Sequence, residues 1–152
     1  MKNHSANLTY FDIEPGDEFI SPSRTISESD IFQFAGLTGD LNELHTSEAF
    51  AESTQFKKRI AHGMLVLSMA NGLYMRSNIF NSSIFLGIKD WKSTAPVYIG
   101  NTIRLKLTIL SKRPTKDGKR GIIVMQYNVI NQDNLSVAQG EFTRMVYLPV
   151  DR

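Results

Sequence analysis

The stretch Phe34 to Asn71 reads FAGLTGDLNELHTSEAFAESTQFKKRIAHGMLVLSMAN, and the rest of the chain must be arranged around it. It runs into a long apolar segment, Met64 to Tyr74, where Met64, Leu65, Leu67, Ser68, Ala70 and Leu73 are apolar or small on nearly every face. A helix of that character is buried on most sides, so Ile60 to Arg76 is expected to be a long central helix with Asn71 as its polar exception. The part before it is turn-rich. Asp40 and His45 lie on one loop with Gly39 and Asn42, directly after an apolar-periodic stretch ending at Leu37. A carboxylate and an imidazole on one loop make a natural acid/base pair. His62-Gly63-Met64 then opens the helix. A glycine there presents unpaired backbone N–H groups at the positive end of the helix dipole, which is what a developing oxyanion needs.

Outward from this stretch, the N-terminal side is read first. Residues 1–10 are polar, with His4 a surface group rather than a ligand. The Pro15-Gly16-Asp17 turn introduces an extended stretch, Glu18 to Thr25, broken by Pro22. Ser27-Glu28-Ser29-Asp30 has the form of a capping box, and Ile31, Phe34, Ala35 and Leu37 follow at helical spacing. After His45, Thr46 or Ser47 is expected to cap a second short helix through Glu52 with Ala49 and Phe50 buried. Ser53 to Arg59 is a polar connection. On the C-terminal side the period changes to two from Ile84 onward. Strands are expected over Ile84–Ser93, Thr102–Lys112, Ile122–Val129 and Val137–Leu148, with turns at Pro114–Gly118 and Asn131–Asn134. One long helix followed by antiparallel strands is an α+β pattern, whose natural packing is a curved sheet wrapped around the helix.

At 152 residues the chain fits a single domain, residues 1–152, with a sizeable core. Hydrophobic residues make up 41% and charged residues 21%, an ordinary globular composition. The net charge of +2 is too small, and the basic residues too scattered, for a nucleic-acid surface. There is no cysteine, which excludes disulfides, thiolate catalysis and thiolate-held metals. No apolar run is long enough for a membrane span and no signal peptide is visible, so an intracellular, cytoplasmic protein is expected. In that setting Asn-x-Ser/Thr triplets, such as those at Asn7 and Asn81, carry no meaning. The spacing of Asp40, His45 and His62 matches no zinc signature, and no nucleotide-binding glycine loop occurs. Neither a metal nor a cofactor is expected.

Taken together, Phe34, Gly39, Asp40, Asn42, His45, Ala49, Phe50 and the run Ile60 to Leu65 resemble the MaoC-like hot-dog family. Within it the pattern is similar to the (R)-specific enoyl-CoA hydratases and 3-hydroxyacyl-CoA dehydratases. The match continues weakly through Trp91, Pro96, Val97 and Gly100. The resemblance implies a hot-dog fold and addition or loss of water across a trans-2-enoyl thioester, with Asp40 and His45 as the catalytic dyad. It leaves Gly63 as the candidate oxyanion donor. Asn42, His62, Met64 and Asn71 complete the candidate oxyanion and substrate-binding set, Asn42 and Asn71 as candidates to orient the dyad. An acyl-CoA substrate is implied, with neither nucleic acid nor membrane as partner. A homodimer joined sheet edge to sheet edge, with the acyl pocket between protomers, is implied as well. The competing readings are a dehydratase acting on an acyl carrier protein, a hot-dog thioesterase and a non-catalytic acyl-CoA-binding module.

Three further expectations follow. Lys57, Lys58 and Arg59 form a basic cluster that is either a solvated loop or a contact for an anionic group such as a CoA phosphate. Where the family carries two prolines this chain has Glu43 and Arg59, and an ion pair between them is expected to stiffen the loop. Finally, a carboxylate with an ordinary pKa near 3.9 is a poor base, so Asp40 is expected to be buried or beside a like charge.

Overall fold

The computed structural model describes residues 8–80 and 82–148, so His4, Asn7 and Asn81 lie outside it. A short 3₁₀ turn, Tyr10–Asp12, leads into β1 (Glu18–Ile20) and β2 (Arg24–Thr25), the two halves of the stretch that Pro22 interrupts. Four helices follow: α1 (Glu28–Thr38), α2 (Glu43–Thr46), α3 (Glu48–Ser53) and α4 (Gly63–Arg76). The long strands are β3 (Ile84–Ser93), β4 (Thr102–Pro114), β5 (Arg120–Ile130) and β6 (Ser136–Tyr147). Among the described residues they form one antiparallel sheet in the order β1-β4-β5-β6-β3, with β2 also paired to β4. This is the α+β hot-dog arrangement that the residue pattern predicts.

The alternation that predicts the strands also builds the core. Ile103, Leu105, Leu107 and Ile109 of β4, Ile123, Met125, Tyr127 and Val129 of β5, and Phe142 and Val146 of β6 are all buried. Leu65, Val66, Met69, Ala70, Leu73 and Tyr74 of α4 join the same cluster. At its centre the Tyr127 and Phe142 rings stack with centroids 3.9 Å apart, a pairing worth about 0.5–1.5 kcal/mol beyond area burial.

The helix starts are locally determined. Ser27 accepts from the Asp30 N–H and the Asp30 carboxylate accepts from the Ser27 N–H, the expected capping box. Gly39 closes α1 at φ 77°, a left-handed conformation that an L side chain adopts only with strain. The chain therefore turns sharply there and delivers Asp40 to the next loop.

The structure departs from the sequence expectations at several points. Leu37 is 85% exposed, because α1 turns only Ile31 and Ala35 fully inward. In α3 it is Ala51 that is buried, while Ala49 and Phe50 face out. The central helix begins at Gly63 rather than Ile60, because Ile60 bridges to Tyr98 and the Ala61 N–H donates to the Val97 carbonyl. Its near all-round burial is also interrupted: Met64, Ser68, Gly72 and Arg76, spaced one turn apart, form an exposed stripe. No helix among the described residues is long and apolar enough to cross a membrane.

Candidate active site

Asp40 reaches its place through the Gly39 turn, with its N–H donating to Thr38 Oγ1 at 3.2 Å. Asn42 then caps α2, its Oδ1 accepting the Leu44 N–H at 2.9 Å. The Asn42 side chain is thus occupied by the cap, and its backbone N–H is what approaches Asp40 Oδ1, at 3.4 Å. The turn of α2, short and absent from the sequence expectation, points His45 inward, where it is buried.

The tautomers follow from the acceptors. His45 Nδ1 lies 2.7 Å from the Ile60 carbonyl, which can only accept, so Nδ1 carries the proton and Nε2 presents a lone pair. His62 Nε2 lies 3.0 Å from the Asp40 carbonyl and donates to it by the same logic. The two imidazoles pack with centroids 3.9 Å apart, and Phe34 closes on His62 at 5.1 Å. His62 thereby ties the N-terminus of α4 to the backbone of the Asp40 loop. Its Nδ1 is buried and, among the described residues, has no partner, an acceptor left unsatisfied.

Nitrogen and carboxylate-oxygen atoms of Asp40, His45 and His62 lie within 4.8 Å of one another. The sequence expectation that Asp40 and His45 converge is met in space. These three can also gather around a metal ion, although two of their ring nitrogens are committed to backbone carbonyls. The Asp40 side chain is exposed in the single chain, so burial, one of the two arrangements expected for it, is not met among the described residues, and a bound substrate or a second protein surface would remove water from it. Burial holds the His62 pKa below its ordinary 6.5, with the nearby His45 acting in the same direction. The unfolded chain therefore binds more protons than the native one in this window. The stability involved is complete above about pH 6.5 and is lost as pH falls below it. Urea unfolding of the wild type between about pH 7 and about pH 5 should show this loss, and His62→Gln should flatten it. Parallel slopes in the two proteins would contradict the assignment.

His45 and Gly63 line one cavity of about 330 Å³, together with Ile60, Val66, Ser93 and Val97. Gly63 is the first residue of α4, and among the described residues its N–H has no acceptor. A Cβ at this position would stand 3.2 Å from Ser93 Oγ, so glycine keeps the wall close. Met64, by contrast, is 61% exposed on the outer stripe of the helix. Asn71 is engaged elsewhere: its Oδ1 accepts from Arg144 Nη2.

Arg59 departs furthest from expectation. It does not meet Glu43. Nε donates to Glu48 at 2.6 Å and Nη2 to Glu28 at 2.5 Å, and the guanidinium lies 5.6 Å over the Phe32 ring. With a side chain only 12% exposed, it ties α1 to α3 across the Asp40 turn and is not available to a phosphate. Lys57 and Lys58 remain the exposed cations of that cluster. The sequence reading also passed over Arg144. Strict alternation in β6 places Phe142, Arg144 and Val146 on one face, and a charged residue on the core face of a strand is a visible signal.

A family model described as "MaoC like domain" matches residues 11–133. Over 110 residues the chain is 40% identical to the (R)-specific enoyl-CoA hydratase of Rhodospirillum rubrum, a match covering 72% of this chain and 75% of that one. Among solved structures, the monoamine oxidase regulatory protein from Archaeoglobus fulgius superposes with a TM-score of 0.85 at 34% identity, covering 95% of this chain and 97% of that one. The unliganded R-hydratase PhaJ1 from Pseudomonas aeruginosa gives a TM-score of 0.78 at 29% identity, covering 96% and 93%.

Proposed function

The chain belongs to the MaoC-like domain family, and from that premise we propose that it interconverts a trans-2-enoyl-CoA and the (R)-3-hydroxyacyl-CoA, using Asp40 and His45 as the acid/base pair. The observation that carries this reading is the convergence of the Asp40 carboxylate on His45, whose ring lines a cavity together with Gly63, the residue whose N–H has no acceptor among the described residues. A water held between the two acceptors loses a proton to one of them as its oxygen attacks C3. The proton is then returned to C2 from the same side, because both groups stand on one short loop. Negative charge that builds on the thioester oxygen is met by the Gly63 N–H and the positive end of α4. The hydratase relatives support a lyase-type enzyme, and the dyad and the acyl-CoA substrate are this reading's own assignments.

One experiment separates the reaction classes. With crotonyl-CoA, the enoyl-thioester absorbance should fall while free thiol stays constant. Thiol release without prior loss of the enoyl absorbance would instead indicate a thioesterase and overturn the proposal.

Assembly belongs to the same reading. β3 ends the sheet, and Ile84, Phe85, Leu86 and Ile88 on it are 37–49% exposed. An open, apolar strand edge invites pairing with another copy, and a two-fold dimer joins two such edges. It would also cover surface near the acyl site that a single chain leaves in water. Light scattering at micromolar concentration should give the mass of a dimer, and a monomer under assay conditions would contradict this part of the account.

A further inference from the structure

Arg144 sits on the inner face of β6 and is 2% exposed, yet among the described residues no carboxylate pairs with it. Its partners are all neutral. Nε donates to Tyr127 Oη at 3.2 Å, Nη1 to Ser83 Oγ at 3.2 Å and Nη2 to Asn71 Oδ1, while the guanidinium lies 4.0 Å over the Tyr74 ring. Among the described residues this matches three of its five N–H donors, leaving one on each terminal nitrogen. The neighbours do not redress the balance. Tyr74 donates its own hydroxyl to Ser83 at 3.1 Å, and burial raises the pKa of both tyrosines, which keeps them protonated donors. The cluster therefore holds a permanent positive charge and a surplus of donors. An arginine keeps its charge on burial, so a ligand that brings an acceptor to the two unmatched N–H groups would be favoured here.

A cavity of about 350 Å³ lies beside this cluster, lined by Leu67, Ser68, Asn71, Phe85, Ile88 and Phe142. Its walls are apolar except for Ser68 and Asn71, and both Asn71 and Phe85 contact the guanidinium. A chain laid along α4 from the Gly63 end reaches Asn71 after eight residues, about 12 Å at the helical rise. A hydrocarbon stem suits the apolar walls, and a terminal carboxylate suits the guanidinium, whose planar fork matches it in geometry and charge.

Resting on the reading of this protein as an acyl-CoA enzyme, we infer that its acyl site takes thioesters whose acyl chain ends in a carboxylate, and that Arg144 is the residue that selects them. A methyl-ended chain of the same length leaves the buried donors unmatched, which is how a polar pocket rejects an apolar analogue.

The test uses saturated thioesters, so that it does not depend on hydration. Calorimetric titration of the full-length protein compares the ω-carboxyacyl-CoAs from succinyl to suberyl with methyl-ended acyl-CoAs of equal chain length. At the best-fitting length the carboxylated ligand should bind at least about 10-fold more tightly, a difference that Arg144→Met abolishes. Equal affinity, a preference for the methyl-ended chain, or a carboxylate preference that survives in Arg144→Met would each overturn the inference. Near-ultraviolet circular dichroism reports whether the Met variant is folded. If it is not, Arg144→Lys, which keeps the charge but loses the fork, should weaken the preference, and an unchanged preference there would count against the inference. A protein that hydrates crotonyl-CoA but shows no carboxylate preference refutes only this inference. One that prefers carboxylated ligands but hydrates no enoyl-CoA refutes only the proposed reaction.

Discussion

Asp40→Asn and His45→Ala are each expected to lower enoyl-CoA turnover by at least about 100-fold with the protein still folded, the lower end of what a positioned acid/base group contributes. The argument is one of proton acceptors. The attacking water must give up a proton; His45 lines the cavity with Nδ1 held protonated by the Ile60 carbonyl, which leaves Nε2 as an acceptor, and the Asp40 carboxylate stands beside it in the same cluster as His62. An asparagine at position 40 keeps the shape and accepts a hydrogen bond, but it cannot hold the proton. That side chain is exposed, so the change costs little stability. Removing His45 strips the Ile60 carbonyl of its donor, which costs about 1–3 kcal/mol, so circular dichroism must accompany the rates. Either variant retaining near-normal turnover with an intact spectrum would remove the dyad from the mechanism.

Replacing Gly63 by Pro should lower turnover by about 10²–10³-fold relative to Gly63→Ala, corresponding to about 2.7–4 kcal/mol for one oxyanion donor. Proline is tolerated at the first position of a helix, where its missing N–H breaks no helical hydrogen bond, and Gly63 occupies that position in α4. Alanine is the needed control, since both residues bring a Cβ to the same point 3.2 Å from Ser93 Oγ, while only alanine keeps the N–H. Equal rates in the two variants would show that the thioester oxygen is held by something other than this N–H.

Most of the elements that position the site could be read from the residues, because the forces that set them are local. The Ser27–Asp30 box, the left-handed Gly39 and the alternation in β4 to β6 each depend on residues within a turn or a strand of one another. Asp40, His45 and Gly63 were visible for a chemical reason, since few residue types can move a proton or expose an N–H at a helix start. Contacts set by tertiary packing were not visible. Arg59 is 31 residues from Glu28 and 11 from Glu48, and only the folded arrangement of α1 and α3 decides that it meets them rather than Glu43. The His45 acceptor is a backbone carbonyl, which carries no sequence signal. Ala49 and Phe50 fit the motif but face outward, because α3 is too short to bury more than the Ala51 side. Asn71 is a further case: the residues allowed either an orienting role or a satisfied polar group, and its partner proved to be Arg144, which lies 73 residues along the chain.

The central claim is that acid and base work from one loop on one face of the substrate, and product stereochemistry tests it most directly. Hydration of crotonyl-CoA in D₂O should give (R)-3-hydroxybutyryl-CoA carrying one deuterium at C2, added on the same face as the hydroxyl. A product with deuterium and hydroxyl on opposite faces, or of (S) configuration at C3, would contradict a mechanism run by Asp40 and His45 together.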